Sequence, residues 1–433
     1  MLEMNRQQKQ NGPAWPVPLR ELQMIIKPMI RNNICINSHP AGCVLSVQHQ
    51  IDYAKKNIKP ACSAVPRLVL VIGCSGGYGL ASRIAAAFGY GAVTVGLSRE
   101  KAGTKTQTGT PGFYHNLSFD REAAKISLVS KTLDGDAYTS ETKAQAVEAV
   151  REAAIKAKIP AKIDLIVYSL ASPARTDPKT GILHKAVIKP IGIPFSGQTL
   201  NMMDGSFLSV HAEPATEEEV FNTVKVMGGE DWELWIETLE KEGLLTSVTR
   251  TIAYSYLGPE ISWPIYKNGT IGKAKEDLER ACRSINKTYN TAGNIAGAWI
   301  SVNKALVTRA SAVIPIFPLY VSCLFKVMKE MNLHENCIEQ IVRLYNDKLY
   351  TSKDPQNIPV DSEGRIRIDD WEMREDVQRA VMEKMNNITQ ENVYTETDLA
   401  GFKYDFLKAH GFDVAGIDYD ADLDPGDYIG IAD

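Results

Sequence analysis

The chain contains no C-x-x-C pair, and none of its seven histidines lies four residues from another, so neither thiol–thiol redox chemistry nor a helical histidine zinc pair is expected. A metal centre is not expected either. Seven cysteines, at 35, 43, 62, 74, 282, 323 and 337, are an odd number and point to a reducing, cytoplasmic compartment. There is no long basic block and the formal net charge is −4, which argues against nucleic acid as a partner. No apolar run reaches the roughly 20 residues that a membrane span requires. The longest, Ala310 to Phe325, is interrupted by Pro315 and Pro318 and is expected to line a buried wall or pocket. Residues 1–23 lack the apolar stretch of a signal peptide and are read as a disordered N-terminal extension. No internal repeat is visible.

What remains is an ordinary globular composition, 44% hydrophobic and 23% charged. Within it, one segment is more informative than the rest. Leu68-Val-Leu-Val-Ile72 reads as a buried strand and Gly73-Cys-Ser-Gly-Gly-Tyr-Gly79 as a turn. An Ala-rich helix, Leu80 to Phe88, follows, then a second strand, Ala92 to Val95, with Glu100 beyond it. Glycines permit positive φ and close backbone approach, and a new helix presents unpaired N–H groups to a pyrophosphate. An acid about 20 residues on suits the ribose hydroxyls. Strand, glycine turn, helix, strand and acid in that order predict a dinucleotide site.

Further strand–helix alternation predicts an α/β fold, a doubly wound Rossmann-type parallel sheet with helices on both faces and extra helical and loop elements around the substrate site. The expected elements are a Gly/Thr-rich loop over 101–112, a strand over 125–129, a helix over 140–156 and a strand over 163–168. A loop-rich stretch over 175–215 is placed across the site. Trp232, Trp235, Ile236 and Leu239 form a core-facing helical stripe. A strand is expected over 248–256, helices over 270–287 and 319–349, and another helix opening at Asp369–Glu372. Thr270 is the expected N-cap of the first of these. Asp418, Asp420, Asp422 and Asp424 read as a solvated acidic tail, since the glycine and glutamate of a calcium loop are missing. Residues 24–433 are expected to form one enlarged domain, its cofactor part over about 60–175 and its catalytic and substrate part over about 176–433. Ligands of such sheets sit past the carboxyl ends of the strands, where Asp136, Ala137, Ser169, Leu170 and Ala171 lie.

Reduction of a double bond also needs a proton donor, and a tyrosine serves when a cation stabilises its phenolate. Tyr254, Tyr256 and Tyr266 stand near Lys267, Lys273 and Lys275. Lys273 and Lys275 point about 200° apart on a helix, so only one of them faces a site, and residue spacing does not choose which.

At these residues the chain resembles the FabV and trans-2-enoyl-CoA reductase family, NADH-dependent enoyl reductases of the short-chain dehydrogenase superfamily. The shared blocks are Ile25–Asn33, His39–Cys43, Ile72–Leu80, Val226–Trp232, Ala253–Pro259 and Lys304–Ala310, so the resemblance runs from Met24 to the C-terminus. The family signature is a tyrosine, eight residues, then a lysine, where ordinary short-chain reductases have three residues between the pair; here it falls on Tyr266 and Lys275. The resemblance implies Tyr266 as proton donor and Lys275 as the group that holds the nicotinamide ribose. It also implies Tyr256 on the substrate's thioester oxygen. Gly73, Cys74, Ser75, Gly76, Gly77, Tyr78, Gly79, Arg99, Glu100, Asp136, Ala137, Leu170 and Ala171 would line the NADH site, with Leu306, Val307 and Thr308 near the nicotinamide. Arg99 is suited to the 2′-phosphate of NADPH, but Glu100 would repel that phosphate, so NADH is expected. No second dinucleotide fingerprint accompanies the flavin-linked region described for some relatives, and flavin is not expected.

The implied activity is reduction of the trans-2 double bond of an enoyl thioester, carried on acyl carrier protein or coenzyme A, as in the last step of fatty-acid elongation. The alternatives are a 3-oxoacyl or hydroxyacyl thioester reductase of the same superfamily, and an NADH-sensing protein without catalysis. A monomer is expected, with a dimer as the alternative.

Overall fold

The computed structural model describes residues 24–428, apart from 32, 33, 61, 63, 105, 312, 313 and 315. The N-terminal extension therefore lies outside the described residues. Seven parallel strands form the central sheet. They are β1 (Leu68–Ile72), β2 (Val93–Ser98), β3 (Ser130–Asp134), β4 (Leu165–Tyr168), β5 (Arg250–Ser255), β6 (Gly297–Val302) and β7 (Ile366–Arg367), in the spatial order β3-β2-β1-β4-β5-β6-β7. The order reverses between β1 and β4, the switch point at which a doubly wound sheet opens a crevice for ligand.

β1 is apolar at every position because both of its faces are covered. Leu68, Leu70 and Ile72 join a cluster with the helices Ser140–Ala157, Glu230–Lys241 and Thr270–Ile285. Val69 and Val71 point the other way, into a cluster with Pro40–Asn57, Gly77–Ile84, Pro111–Lys125 and Cys337–Leu344. The expected tryptophan stripe lies wholly in the first cluster. A third cluster joins Phe317–Glu330 to the C-terminal helices through Phe325, Val377, Val381, Phe402 and Phe406, and it includes Leu306 and Val307. Among the described residues, no helix is long and apolar enough to cross a membrane.

Five expectations are corrected. The segment over 125–129 is not a strand: Pro111–Lys125 is helical, Ser127 turns with φ 55°, and the third strand is the polar Ser130–Asp134. That strand lies at the sheet edge and is half-exposed, so it needs little apolar character. The stretch over 175–215 is built of two antiparallel ribbons, Ala174–Thr176 with Leu183–Lys185 and Phe195–Leu200 with Phe207–Ala212. Gly269, not Thr270, is the N-cap, and Thr270 Oγ1 donates to Val187 O. Asp369–Glu372 forms a turn, and the helix begins at Glu375. The acidic tail has an anchor as well as solvent: Asp422 accepts from Met24 N, and Asp420 pairs with Lys27.

Candidate active site

β1 ends in the glycine turn, whose geometry shows why each glycine is there. Gly73 has φ +90°, and a Cβ on it would lie 2.3 Å from Ser169 O at the end of β4. A Cβ on Gly79 would lie 1.9 Å from Gly73 O, so turn and helix pack backbone to backbone. A Cβ on Gly76, in contrast, would meet nothing within 4 Å, which leaves open space beside the start of the helix. The N–H groups of Gly73 and Cys74 already donate to Leu97 O. An incoming anion therefore meets the helix's first turn, where N–H groups lack internal acceptors. The Cys74 side chain turns away from the crevice toward Asn116 and Arg83. The Tyr78 hydroxyl is also engaged within the protein, its one proton shared between Lys304 O at 2.8 Å and Gln340 Oε1 at 2.7 Å.

Past β2, Glu100 accepts from Ser75 Oγ at 2.6 Å and from Arg309 Nη1 at 3.2 Å. Arg309 is a residue that the sequence reading leaves without a role, although it falls within the Lys304–Ala310 block. Arg99 points outward and pairs with Asp136 at 3.2 Å. Ala137 O accepts from the buried Lys143 Nζ. Leu170 and Ala171 follow directly on Ser169, against the glycine turn. Thr308 faces that turn from the opposite side, its Cγ2 3.5 Å from where a Gly77 Cβ would be, and Ser311 ties the 306–308 loop together. His115 Nδ1 donates to Ser75 O at 2.8 Å, and burial lowers its pKa to about 4, so it sits neutral under the cradle.

β5 delivers the tyrosines. The Tyr254 hydroxyl is committed to Ser82 Oγ at 2.5 Å, while its carbonyl accepts from Lys275 Nζ at 3.4 Å. Tyr256 and Tyr266 meet edge to face, ring centroids 5.4 Å apart. With Ser262, Ile314, Ile316, Phe317 and Tyr320 they line a narrow, mostly apolar cavity. The expected lining segment, 310–325, thus supplies four of its walls. The Tyr266 hydroxyl has no hydrogen-bond partner among the described residues, and burial raises its pKa. Lys273 is exposed and pairs with Glu276, whereas Lys275 turns inward, and burial lowers its pKa to about 8.

One buried acid was missed. Glu372 Oε1 accepts from Tyr256 at 3.0 Å and from Tyr320 at 2.8 Å, and Oε2 accepts from Ala305 N at 2.7 Å. Its position after two aspartates reads as a helix start, and nothing local in the sequence signals burial.

Three family models match the chain. Residues 107–350 match the trans-2-enoyl-CoA reductase catalytic region, 25–105 the NAD(P)H binding domain of trans-2-enoyl-CoA reductase, and 360–423 an enoyl reductase FAD binding domain. The described residues of the last segment do not fit a flavin dinucleotide. Their helices spend their apolar faces on Phe317–Glu330, and a Cβ on Gly411 would lie 2.4 Å from His39 O, so that glycine serves packing. The glycine cradle after β1 does fit a nicotinamide dinucleotide.

The trans-2-enoyl-CoA reductase [NADH] of Treponema denticola is 56% identical over 409 residues, 94% of this chain and 100% of that protein. The enoyl-[acyl-carrier-protein] reductase [NADH] of Opitutus terrae is 46% identical over 402 residues, 93% of this chain and 99% of that protein. The crystal structure of the Treponema denticola enzyme in complex with NAD superposes with a TM-score of 0.87 at 57% identity, covering 93% of this chain and 98% of that one. Shared along nearly its whole length with such enzymes, from glycine cradle to C-terminal helices, this chain belongs to the trans-2-enoyl-CoA reductase family.

Proposed function

We propose that this enzyme reduces the trans-2 double bond of enoyl thioesters with NADH, giving the saturated acyl thioester. The observation that carries this reading is the pair Tyr256–Tyr266 in an apolar-walled cavity at the end of β5, the strand on which the inward-turned Lys275 donates to Tyr254 O. NADH, when bound, supplies the hydride that reaches the β-carbon. Gly76, Gly77 and the first turn of the helix they open hold its pyrophosphate. Glu100 takes the adenosine ribose, with Arg309 and Ser75 holding the carboxylate in place. Asp136, Ala137, Leu170 and Ala171 flank the adenine-to-ribose path, Leu306 to Thr308 flank the nicotinamide, and Arg99 stands at the outer edge.

Hydride addition moves negative charge to the thioester oxygen. Tyr256 meets that charge with a hydrogen bond, an interaction worth roughly 3–4 kcal/mol when one such donor is removed. Tyr266 delivers the proton to the α-carbon. Its own deprotonation is opposed by burial; the ammonium of Lys275 would hold the nicotinamide ribose and, with NADH in place, offset that cost. Ile314, Ile316 and Phe317 bound the space for the alkyl tail.

The thioester is that of acyl carrier protein or coenzyme A, which share a phosphopantetheine arm, and the reaction closes a cycle of fatty-acid elongation. A cytoplasmic setting accords with seven free thiols. A monomer accords with apolar clusters that close within one chain. The test follows NADH absorbance with crotonyl-CoA, crotonyl-acyl carrier protein and a 3-oxoacyl thioester. Oxidation of NADH with the first two is the expected result. Turnover of the 3-oxoacyl thioester alone would transfer the enzyme to carbonyl reduction, and binding of NADH without any turnover would make it a sensor.

A further inference from the structure

Tyr256 has one hydroxyl proton and two claimants. In the structure that proton goes to Glu372 Oε1 at 3.0 Å, away from the cavity that the tyrosine lines. The same carboxylate accepts from Tyr320 and from Ala305 N, and its side chain is wholly buried. An ionised carboxylate only accepts, so this arrangement satisfies Glu372 and leaves the Tyr256 oxygen facing the cavity without a proton to give. The direction of one of the three bonds is fixed, and that of a second is favoured. A backbone N–H such as that of Ala305 cannot reverse. The Tyr320 oxygen already takes the Gln378 Nε2 proton at 3.1 Å, and Gln378 is pinned by Glu372 O at 2.7 Å. The Tyr256 oxygen has no such pinned amide against it, so its bond to Glu372 is the freest of the three to turn.

We propose that Glu372 sets which way the Tyr256 hydroxyl points: ionised, it claims the tyrosine's proton; protonated, it donates to the Tyr256 oxygen and releases that O–H toward the thioester. The proposal rests on the reading of Tyr256 as the ligand of the thioester oxygen. No covalent bond of the substrate changes in this step. Glu372 takes its proton from solvent and keeps it, and the α-carbon is still protonated by Tyr266. Glu372 is thus a positioning residue that acts through Tyr256.

The groups facing Glu372 come from every neighbouring element. They are Asp369 on its own segment, Lys304 beyond β6, Tyr256 beyond β5, Tyr78 on the Gly77–Ile84 helix and Tyr320 on the Phe317–Glu330 helix. Burial is the largest influence and raises the carboxyl's pKa; Ala305 N–H, Tyr320 and Lys304 oppose it. The productive, protonated form therefore prevails below that pKa and is lost as pH rises through it, adding one alkaline fall in kcat/KM to the one that Lys275 brings.

Glu372→Gln tests this. The amide oxygen has to face Ala305 N–H, which turns the NH2 toward Tyr256 in the sense of the protonated acid. The expected result with crotonyl-CoA is a kcat/KM well above that of Tyr256→Phe, with the Glu372 alkaline fall abolished and the Lys275 fall retained. Glu372→Ala, which restores neither direction, should resemble Tyr256→Phe. Because Gln also strips Tyr320 of its acceptor, Glu372→Gln/Tyr320→Phe provides a second variant in which no hydroxyl is orphaned. A comparison that keeps the glutamate covers any failure to fold: wild type should show one more alkaline fall than Tyr256→Phe. If Tyr256→Phe equals wild type, the role of Tyr256 itself fails. If Tyr256→Phe is slow but Glu372→Gln is as slow with an unchanged pH profile, the proposal is overturned and Tyr256 keeps its role. Equal numbers of alkaline falls in wild type and Tyr256→Phe overturn it as well.

Discussion

Lys275 carries its charge where the fold offers little to hold it, and replacing it should separate stability from activity. Its one hydrogen bond among the described residues is to Tyr254 O, at a long 3.4 Å, and burial lowers its pKa from 10.5 to about 8. At about 1.36 kcal/mol per pKa unit, that difference makes the charged form cost the apoprotein about 3 kcal/mol, a ceiling because the side chain is partly accessible. The sign follows from proton counts. Below about pH 8, folded and unfolded lysines are both charged and the penalty is fully present. Between about 8 and 10.5 the unfolded chain holds the extra proton, so stability rises with pH across that window. Lys275→Met should therefore be more stable than wild type at pH 7, by up to about 3 kcal/mol. The gap should shrink as pH approaches 10.5. Turnover of the same variant should nearly vanish, since neither the nicotinamide ribose nor the Tyr266 phenolate has its cation. Urea midpoints followed by tryptophan fluorescence at neutral and alkaline pH read the first effect, and NADH oxidation with crotonyl-CoA reads the second. A variant less stable than wild type at pH 7, or a stability gap that does not change with pH, would refute the reasoning.

Tyr266→Phe should lose about 10²–10⁴-fold in kcat, the usual span of acid catalysis, while titration calorimetry still detects NADH. In Gly79→Ala the new methyl would sit 1.9 Å from Gly73 O, so the cradle must open. The expected cost is about 1–3 kcal/mol of stability and the loss of the rise in Tm that NADH produces in wild type. Glu100→Ser removes the charge that repels a 2′-phosphate and leaves Arg309 and Arg99 nearby. The NADPH/NADH ratio of kcat/KM should rise at least about tenfold, equivalent to about 1.4 kcal/mol; an unchanged ratio would remove Glu100 from cofactor selection.

The parts legible in the sequence are those where the chain obeys a local rule. β1 is apolar throughout because both faces are covered, and its glycines are demanded by backbone contacts that no other residue permits. The illegible parts obey distant rules. β3 is Ser-Lys-Thr-Leu-Asp because an edge strand is held by its ladder to β2 and by the buried Arg83, whose guanidinium reaches Thr132 Oγ1 and Lys131 O. The adjacent residues 126–129, which look more like a strand, close the preceding helix and pack Leu128 and Val129 onto the core clusters. The helix Glu217–Met227 did leave a trace in Thr216 and Glu219, a reciprocal capping box that marks its start. In the site, the two lysines separated once their helix had a buried side. Glu372 had no such trace, since its three hydrogen-bond donors come from residues 52 to 116 positions away.

That long reach bears on how this enzyme tolerates recombination. Glu372 sits in the C-terminal portion, yet it grips the 303–308 loop through Ala305, the end of β5 through Tyr256 and a separate helix through Tyr320. A chimaera that imports residues 360–423 from a relative would splice through this knot. Unless the donor's acid and the host's two phenols agree in reach and angle, such a hybrid would keep its glycine cradle and lose its aim.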